Sequence, residues 1–142
     1  MQPAFGVIGL GRMAQALVVP LLERGRIPAD QLLAVVGGTR SLEQRRGALP
    51  AGIGLVTAAD PSAQQVWTAP IQLLAVKPQQ LDAVAAASGP VVGQPLLISV
   101  LAGVSLARLQ HLFPGHRCVR AVPNTPASVS YTHLTLPTKR IV

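Results

Sequence analysis

Short apolar runs recur along the chain, at Phe5–Leu10, Leu32–Val36, Ile53–Thr57, Ile71–Val76, Leu96–Leu101 and Cys118–Val122. Several are apolar at every position, as in Leu32-Leu33-Ala34-Val35-Val36. A strand with only one buried face alternates apolar and polar residues, whereas continuous hydrocarbon suits a strand covered on both sides. Between the runs the period lengthens to that of a helix. Met13, Ala14, Leu17, Val18, Leu21 and Leu22 fall on one helical face, and Gly25 suits the end. Pro20 lies inside that helix, has no N–H for the carbonyl of Ala16, and is expected to kink or shorten it. Ser41-Leu42-Glu43-Gln44 reads as a capping box opening a second helix. Asp60-Pro61 reads as an N-cap followed by proline at the first helical position. Ser105 is placed to cap a last helix carrying Leu106, Leu109, Leu112 and Phe113. Strands regularly separated by helices predict an α/β domain, a doubly wound and mostly parallel sheet with helices on both faces.

The first strand runs directly into Gly9-Leu10-Gly11-Arg12-Met13-Ala14 and then into the first helix. This is G-x-G-x-x-A in a strand–turn–helix setting, which makes the fold Rossmann-like. Gly9 permits the tight turn. Gly11 removes a side chain from the path of a pyrophosphate, and Ala14 allows close packing of helix on strand. The unpaired N–H groups at the helix start then face the phosphates. A glycine turn with no ligand is the plainer reading, and Arg12 is placed either to touch a phosphate or to point into solvent. At the end of the second strand, a site for NAD carries an acid for the ribose 2′-hydroxyl. Here Thr39, Arg40 and Ser41 stand there, with no acid before Glu43. Such donors suit a 2′-phosphate, onto which Arg40 can fork. NADPH is the expected cofactor, with NADH as a possible substitute.

Composition narrows the partners. Apolar residues make up 49% of the 142 and charged residues 12%, a balance that excludes general disorder. Twelve Lys and Arg against five Asp and Glu give a net charge of +7, which invites a nucleic-acid reading. The basic residues form no single stripe, however. Arg40, Arg45 and Arg46 sit together, apart from Arg108, Arg117 and Arg120, with Lys139 and Arg140 near the end. Aromatics are 3%, too few for base-stacking platforms, so a small anionic ligand is expected instead of nucleic acid. Cys118 is the lone cysteine, which leaves no internal disulfide. His111, His116 and His133 lack Cys or carboxylate partners at metal-ligand spacing, so no metal site is expected. No uncharged apolar run approaches the ~18 residues needed to cross a bilayer. A cytoplasmic protein without membrane association is the expectation.

Further segments point to a family. Ala75-Val76-Lys77-Pro78-Gln79 closes the fourth strand, Ser99-Val100-Leu101-Ala102-Gly103-Val104-Ser105 the fifth, and Arg120-Ala121-Val122-Pro123-Asn124-Thr125-Pro126-Ala127 the sixth. With the glycine loop, in this order and spacing, they resemble pyrroline-5-carboxylate reductase over about residues 5 to 128. The resemblance implies contact with NADPH from Val76, Lys77 and Pro78 and from Ala102 and Gly103, with Asn124 near the nicotinamide. The residue-level alternatives stay open: Lys77 as a solvated strand-end charge, Asn124 as the brace of its own turn, and Ser99 as a core hydroxyl. The implied reaction is reduction of a small cyclic imine, 1-pyrroline-5-carboxylate, to L-proline by hydride from C4 of the nicotinamide. No Ser–His or Cys–His pair and no paired carboxylates appear, as suits chemistry carried by a cofactor. In this family a helical second domain holds the substrate and forms the homo-oligomer.

The pattern changes near the end. Residues 130–142 show neither helical nor strand period, and the resemblance stops before them. Residues 1–129 are therefore expected to form the NADP-binding domain and 130–142 a non-native tail, with the helical dimerisation and substrate domain missing and the fragment inactive alone. Arg12 is a departure, since relatives often carry Asn there. Two other readings compete: a standalone NADP-binding or redox-sensing module without catalysis, and a related imine, hydroxyacid or deazaflavin-linked reductase. The apolar closing edge and low charge favour a missing partner surface over the module.

Overall fold

The computed structural model describes residues 3–47, 52–88, 91 and 93–121, with the side chains of Thr39, Ser41 and Arg45 outside the description. The expected tail at 130–142 and Asn124 lie outside the described residues. Six parallel strands make one sheet: β1 (Phe5–Ile8), β2 (Leu32–Val36), β3 (Gly54–Thr57), β4 (Ile71–Leu74), β5 (Leu96–Ser99) and β6 (Arg117–Arg120). Their spatial order is β3-β2-β1-β4-β5-β6, so the order reverses between β1 and β4. The strands predicted to run to Leu10, Val76 and Leu101 stop at Ile8, Leu74 and Ser99. Leu10 and Leu101 are buried all the same, as loop residues folded back over the sheet, so hydrophobicity outruns the ladder.

The helices are α1 (Arg12–Glu23), α2 (Thr39–Arg46), α3 (Leu81–Ala87) and α4 (Leu106–Leu112), with a 3-10 helix at Pro61–Thr68. On one face of the sheet Ala14 and Val18 of α1, with Leu42 of α2, pack on Val7, Ala34 and Leu73. On the other, Val66 and Trp67 of the 3-10 helix, Leu81 of α3 and Leu109 of α4 pack on Ile8, Leu74 and Leu97. Both faces are covered, which is why the strands carry no polar alternation.

Local signals resolve in different ways. Ser105 caps α4 by accepting from the N–H of Arg108 at 3.1 Å, and Asp60 accepts from the N–H of Ser62 at 2.9 Å. The Ser62 amide and hydroxyl hold the Asp60 carboxyl below its usual range. After Asp60 the chain forms a 3-10 helix in which Ala63 and Val66 are buried and the row continues at Ala69 with a spacing of three, with Trp67 buried beside it. At the end of α1, Gly25 takes φ +70, while the N–H groups of Gly25 and Arg26 donate to the carbonyls of Leu22 and Leu21 at 3.1 and 2.9 Å. Pro20 does not shorten α1. It stands near the carboxyl end, where one missing bond is tolerated and its own carbonyl accepts from Arg24 at 3.0 Å. The Ser41 capping box is not the helix start. The Leu42 N–H donates to the Gly38 carbonyl at 2.9 Å, so α2 opens at Thr39, straight from the glycine pair that ends β2. No side-chain cap marks the start of α3. Arg108 and Asp82 tie α4 to α3 at 2.8 Å, an exposed pair worth about 0–1 kcal/mol.

A buried polar chain lies in the core. Gln72 donates from Nε2 to the carbonyls of Trp67 and Ala69 at 3.0 and 2.9 Å, and its Oε1 lies 2.8 Å from His116 Nε2. An oxygen facing the ring requires a donor, so the proton of His116 sits on Nε2. Trp67 and Phe113 pack round the ring. Burial pushes the His116 pKa below 6.5 and raises that of the Cys118 thiol to about 11. For His116 the folded state thus binds its proton less readily than the unfolded chain. Its stabilisation is complete above about pH 6.5 and is lost as pH falls from there through the folded value. Urea midpoints measured from pH 8 to 5 are expected to decline below about pH 6.5, and His116→Phe should flatten that decline.

Candidate functional site

The carboxyl ends of β1, β2 and β4 surround a cleft of about 470 Å³. Its position follows from topology, because connections leave β1 and β4 in opposite directions and open a crevice above the sheet. Gly9, Leu10 and Gly11 form its floor. Val35, Val36, Gly37 and Ala58 line the side of β2 and β3. Ala75, Val76 and Lys77, then Gln80, Ala83, Val84 and Ala87, line the side of β4 and α3.

The glycine loop is anchored on both sides. The Gly9 N–H donates to Val35 at 2.9 Å, and the Ala75 N–H donates to Ile8 at 2.8 Å. Gly9 has φ +86, and a Cβ there would lie 2.8 Å from the backbone of Ala75 and Val76. Only glycine fits that turn without strain. Gly11 is different: its would-be Cβ meets nothing within 4 Å. It is the N-cap of α1 and supplies no capping side chain, so the first-turn amides have neither an intrahelical acceptor nor a cap. Gln15 Nε2 donates to the Leu10 carbonyl at 3.0 Å and holds the loop from inside the helix. The first turn has no acid, and Arg12 stands exposed within it. A cation at the positive end of a helix is unfavourable by itself, and a bound anion reverses the sign.

The predicted residues divide into groups. Gly9, Leu10, Gly11, Val76 and Lys77 come together on the cleft. Met13 and Ala14 face the core beneath the loop, with Ala14 fully buried. Arg40 is exposed in the first turn of α2, which also lacks an acid, and the backbones of Thr39 and Ser41 share that turn. Pro78 opens a short 3-10 turn and is exposed. Ala102 and Gly103 form an exposed turn after β5, with Gly103 at φ +76, and do not line the cleft. Ser99 is fully buried, and its hydroxyl accepts from the Leu101 N–H at 3.2 Å, the role of a core hydroxyl. The lining from α3 was missed. Gln80, Ala83, Val84 and Ala87 recur at helical spacing, a signal for the helix though not for the cleft.

A parallel sheet in this order, with a glycine turn and an uncapped helix at its reversal point, defines a dinucleotide-binding domain of Rossmann type. The chain belongs to the family described as NADP oxidoreductase, coenzyme F420-dependent, whose model matches residues 4–103. It is 39% identical over 125 residues to a pyrroline-5-carboxylate reductase of Synechocystis, covering 87% of this chain and 45% of that one. Pyrroline-5-carboxylate reductase 3 of Rattus norvegicus is 34% identical over 126 residues, covering 87% and 44%. Among solved structures, a pyrroline-5-carboxylate reductase from Coxiella burnetii superposes with a TM-score of 0.70 at 28% identity, over 91% of this chain and 47% of that one. The chain thus spans less than half the length of the relatives it matches.

Proposed function

We propose that this chain binds NADPH across the carboxyl ends of β1, β2 and β4, as the cofactor half of a reductase converting 1-pyrroline-5-carboxylate to L-proline. One observation carries the cofactor reading: the uncapped amino end of α1 opens, past a glycine at φ +86, into the cleft where the strand order reverses. The substrate follows from relatives at 39% and 34% identity that bear that activity in their names.

In this reading the backbone from Gly9 to Ala14 cradles the pyrophosphate, while Arg40 with Thr39 and Ser41 takes the 2′-phosphate. Val76, Lys77 and Pro78 contact the nucleotide from the β4 side. Ala102, Gly103 and Asn124 serve the nicotinamide side. The cofactor supplies the hydride, and the chain's contribution is to hold it in place and keep the base in a hydrocarbon-lined cleft. The substrate-holding groups, and the pairing of copies, belong to the remaining length found in the relatives. A cytoplasmic setting fits a single cysteine that is free and buried.

The cofactor reading is tested by titrating the purified chain with NADPH; no association at millimolar concentration overturns it. Arg40 gives a sharper measure. A charge-assisted bond is worth ~1.5–3 kcal/mol, so Arg40→Ala is expected to weaken NADPH roughly 10–100-fold while NADH hardly changes. Equal losses for both would remove Arg40 from the 2′-phosphate. Turnover of the intact gene product on pyrroline-5-carboxylate, set against hydroxyacids and a deazaflavin, decides the substrate.

A further inference from the structure

The lining of the cleft contains two polar side chains, Lys77 and Gln80, and both belong to the short turn between β4 and α3. Lys77 is taken up by the proposed contact with the nucleotide. Gln80 is not, and its surroundings leave one end of it uncommitted. The backbone N–H of Gln80 donates to the Lys77 carbonyl at 2.8 Å, and the backbone N–H of Lys77 donates back to Gln80 Oε1 at 3.3 Å. This reciprocal pair closes the turn and orients the carboxamide. The oxygen faces the loop, and among the described residues the NH₂ group has no acceptor.

Gln80 also begins the stripe continued by Ala83, Val84 and Ala87 along α3, which walls the cleft on one side of β1. Val36 and Ala58 wall it on the other side. Two hydrocarbon walls with a single amide donor at the edge suit a flat heteroaromatic base attached to a polar sugar phosphate. A group with only a donor to offer selects an acceptor: a ribose oxygen, a phosphate oxygen or a ring nitrogen.

We infer that Gln80 is a specificity-determining contact for the adenosine half of the dinucleotide, donating from Nε2 while its Oε1 holds the Lys77 turn. This rests on the proposal that the cleft binds NADPH, and the experiment separates the two. Gln80→Met keeps the length but loses both the donor and the Oε1 acceptor of the Lys77 N–H, and the thermal midpoint reports the loss of the second. Gln80→Glu keeps the acceptor for the Lys77 N–H at a helix start, where an acid is favourable, but replaces the donor by a negative charge. The 142-residue chain and both variants are titrated with NADPH and with adenosine 2′,5′-bisphosphate, and their thermal midpoints are recorded.

Loss of one neutral hydrogen bond predicts about 3–10-fold weaker binding for Gln80→Met, by the same factor for NADPH and for the fragment. Gln80→Glu is expected to bind more weakly still, with an unchanged or higher thermal midpoint, which a purely structural role would not produce. An unaltered chain that fails to bind NADPH overturns the cofactor reading itself. If it binds and Gln80→Met binds equally well, the contact is wrong and the cofactor reading stands, even where Gln80→Glu weakens. A loss for NADPH without a matching loss for the fragment moves the contact off the adenosine half and overturns the assignment.

Discussion

Gly9→Val is expected to abolish measurable NADPH binding and to lower the stability of the fold by about 2–5 kcal/mol. Two costs combine. The backbone at this residue has φ +86, where a β-branched side chain is strained by roughly 1–3 kcal/mol. Its Cβ would also stand 2.8 Å from the carbonyl carbon and oxygen of Ala75 and from the nitrogen of Val76. Those are backbone atoms, fixed in turn by the bond from the Ala75 N–H to Ile8, so no flexible side chain can move aside. The ends of β1 and β4 must part, and the loop that opens α1 moves with them. Gly11→Ala is the informative control. Nothing lies within 4 Å of its added methyl, so stability should change little. The methyl would enter the path of the phosphates, so binding should still weaken. Urea unfolding read beside NADPH titration distinguishes the two variants. Normal cofactor affinity in Gly9→Val would show that this loop is not the cradle.

Gln72→Leu is expected to cost about 3–5 kcal/mol, although leucine is the better hydrocarbon for a core. Gln72 is fully buried and satisfies the carbonyls of Trp67 and Ala69 and the Nε2–H of His116. Leucine fills the volume and strands all three. A buried polar group without a partner costs about 1–3 kcal/mol, and partial entry of water keeps the sum below the additive limit. Gln72→Glu is the companion variant. It retains an acceptor for His116 but cannot donate to the two carbonyls, and its charge favours protonation of the ring. It should therefore shift the pH dependence of stability, whereas Gln72→Leu mainly lowers the whole curve. Both effects are read from urea midpoints measured across pH. A Gln72→Leu variant as stable as the parent would mean that the buried chain contributes nothing net.

Much of the fold could be read from the residues because the decisive forces are local. Every strand was located by its hydrocarbon, and Gly25, Asp60 and Ser105 marked their helix boundaries through backbone groups only a few residues away. The misreadings also share a cause. The apolar runs outlast the strands at Leu10 and Leu101 because burial and pairing are separate requirements, and a loop folded over the sheet satisfies the first alone, while half-buried Val76 lines the cleft beyond β4. Ser41 offered a plausible cap, yet the glycine pair after β2 had already turned the chain into α2. Pro20 does not shorten its helix, since a helix near its end loses a single bond and is held by packing elsewhere.

The candidate site was legible only where its chemistry is backbone chemistry. A glycine turn at a strand–helix junction carries its own explanation, and Gly9, Leu10 and Gly11 lie on the cleft together with Val76 and Lys77 from far along the chain. The apolar lining from Val36, Ala58, Ala83 and Ala87 could not be singled out, because small hydrophobic residues resemble core filler until the strand order brings them to one crevice.

By itself, then, the order of residues determined the parallel α/β architecture, the first turn and the absence of an acid between β2 and Glu43, since periodicity and backbone freedom act over neighbouring positions. The tertiary structure alone decided which walls face the cleft, where Gln80 turns its amide, and how Gln72 and His116 pair across 44 positions of sequence. Those outcomes depend on the crossing between β1 and β4, and no short stretch of chain contains that geometry.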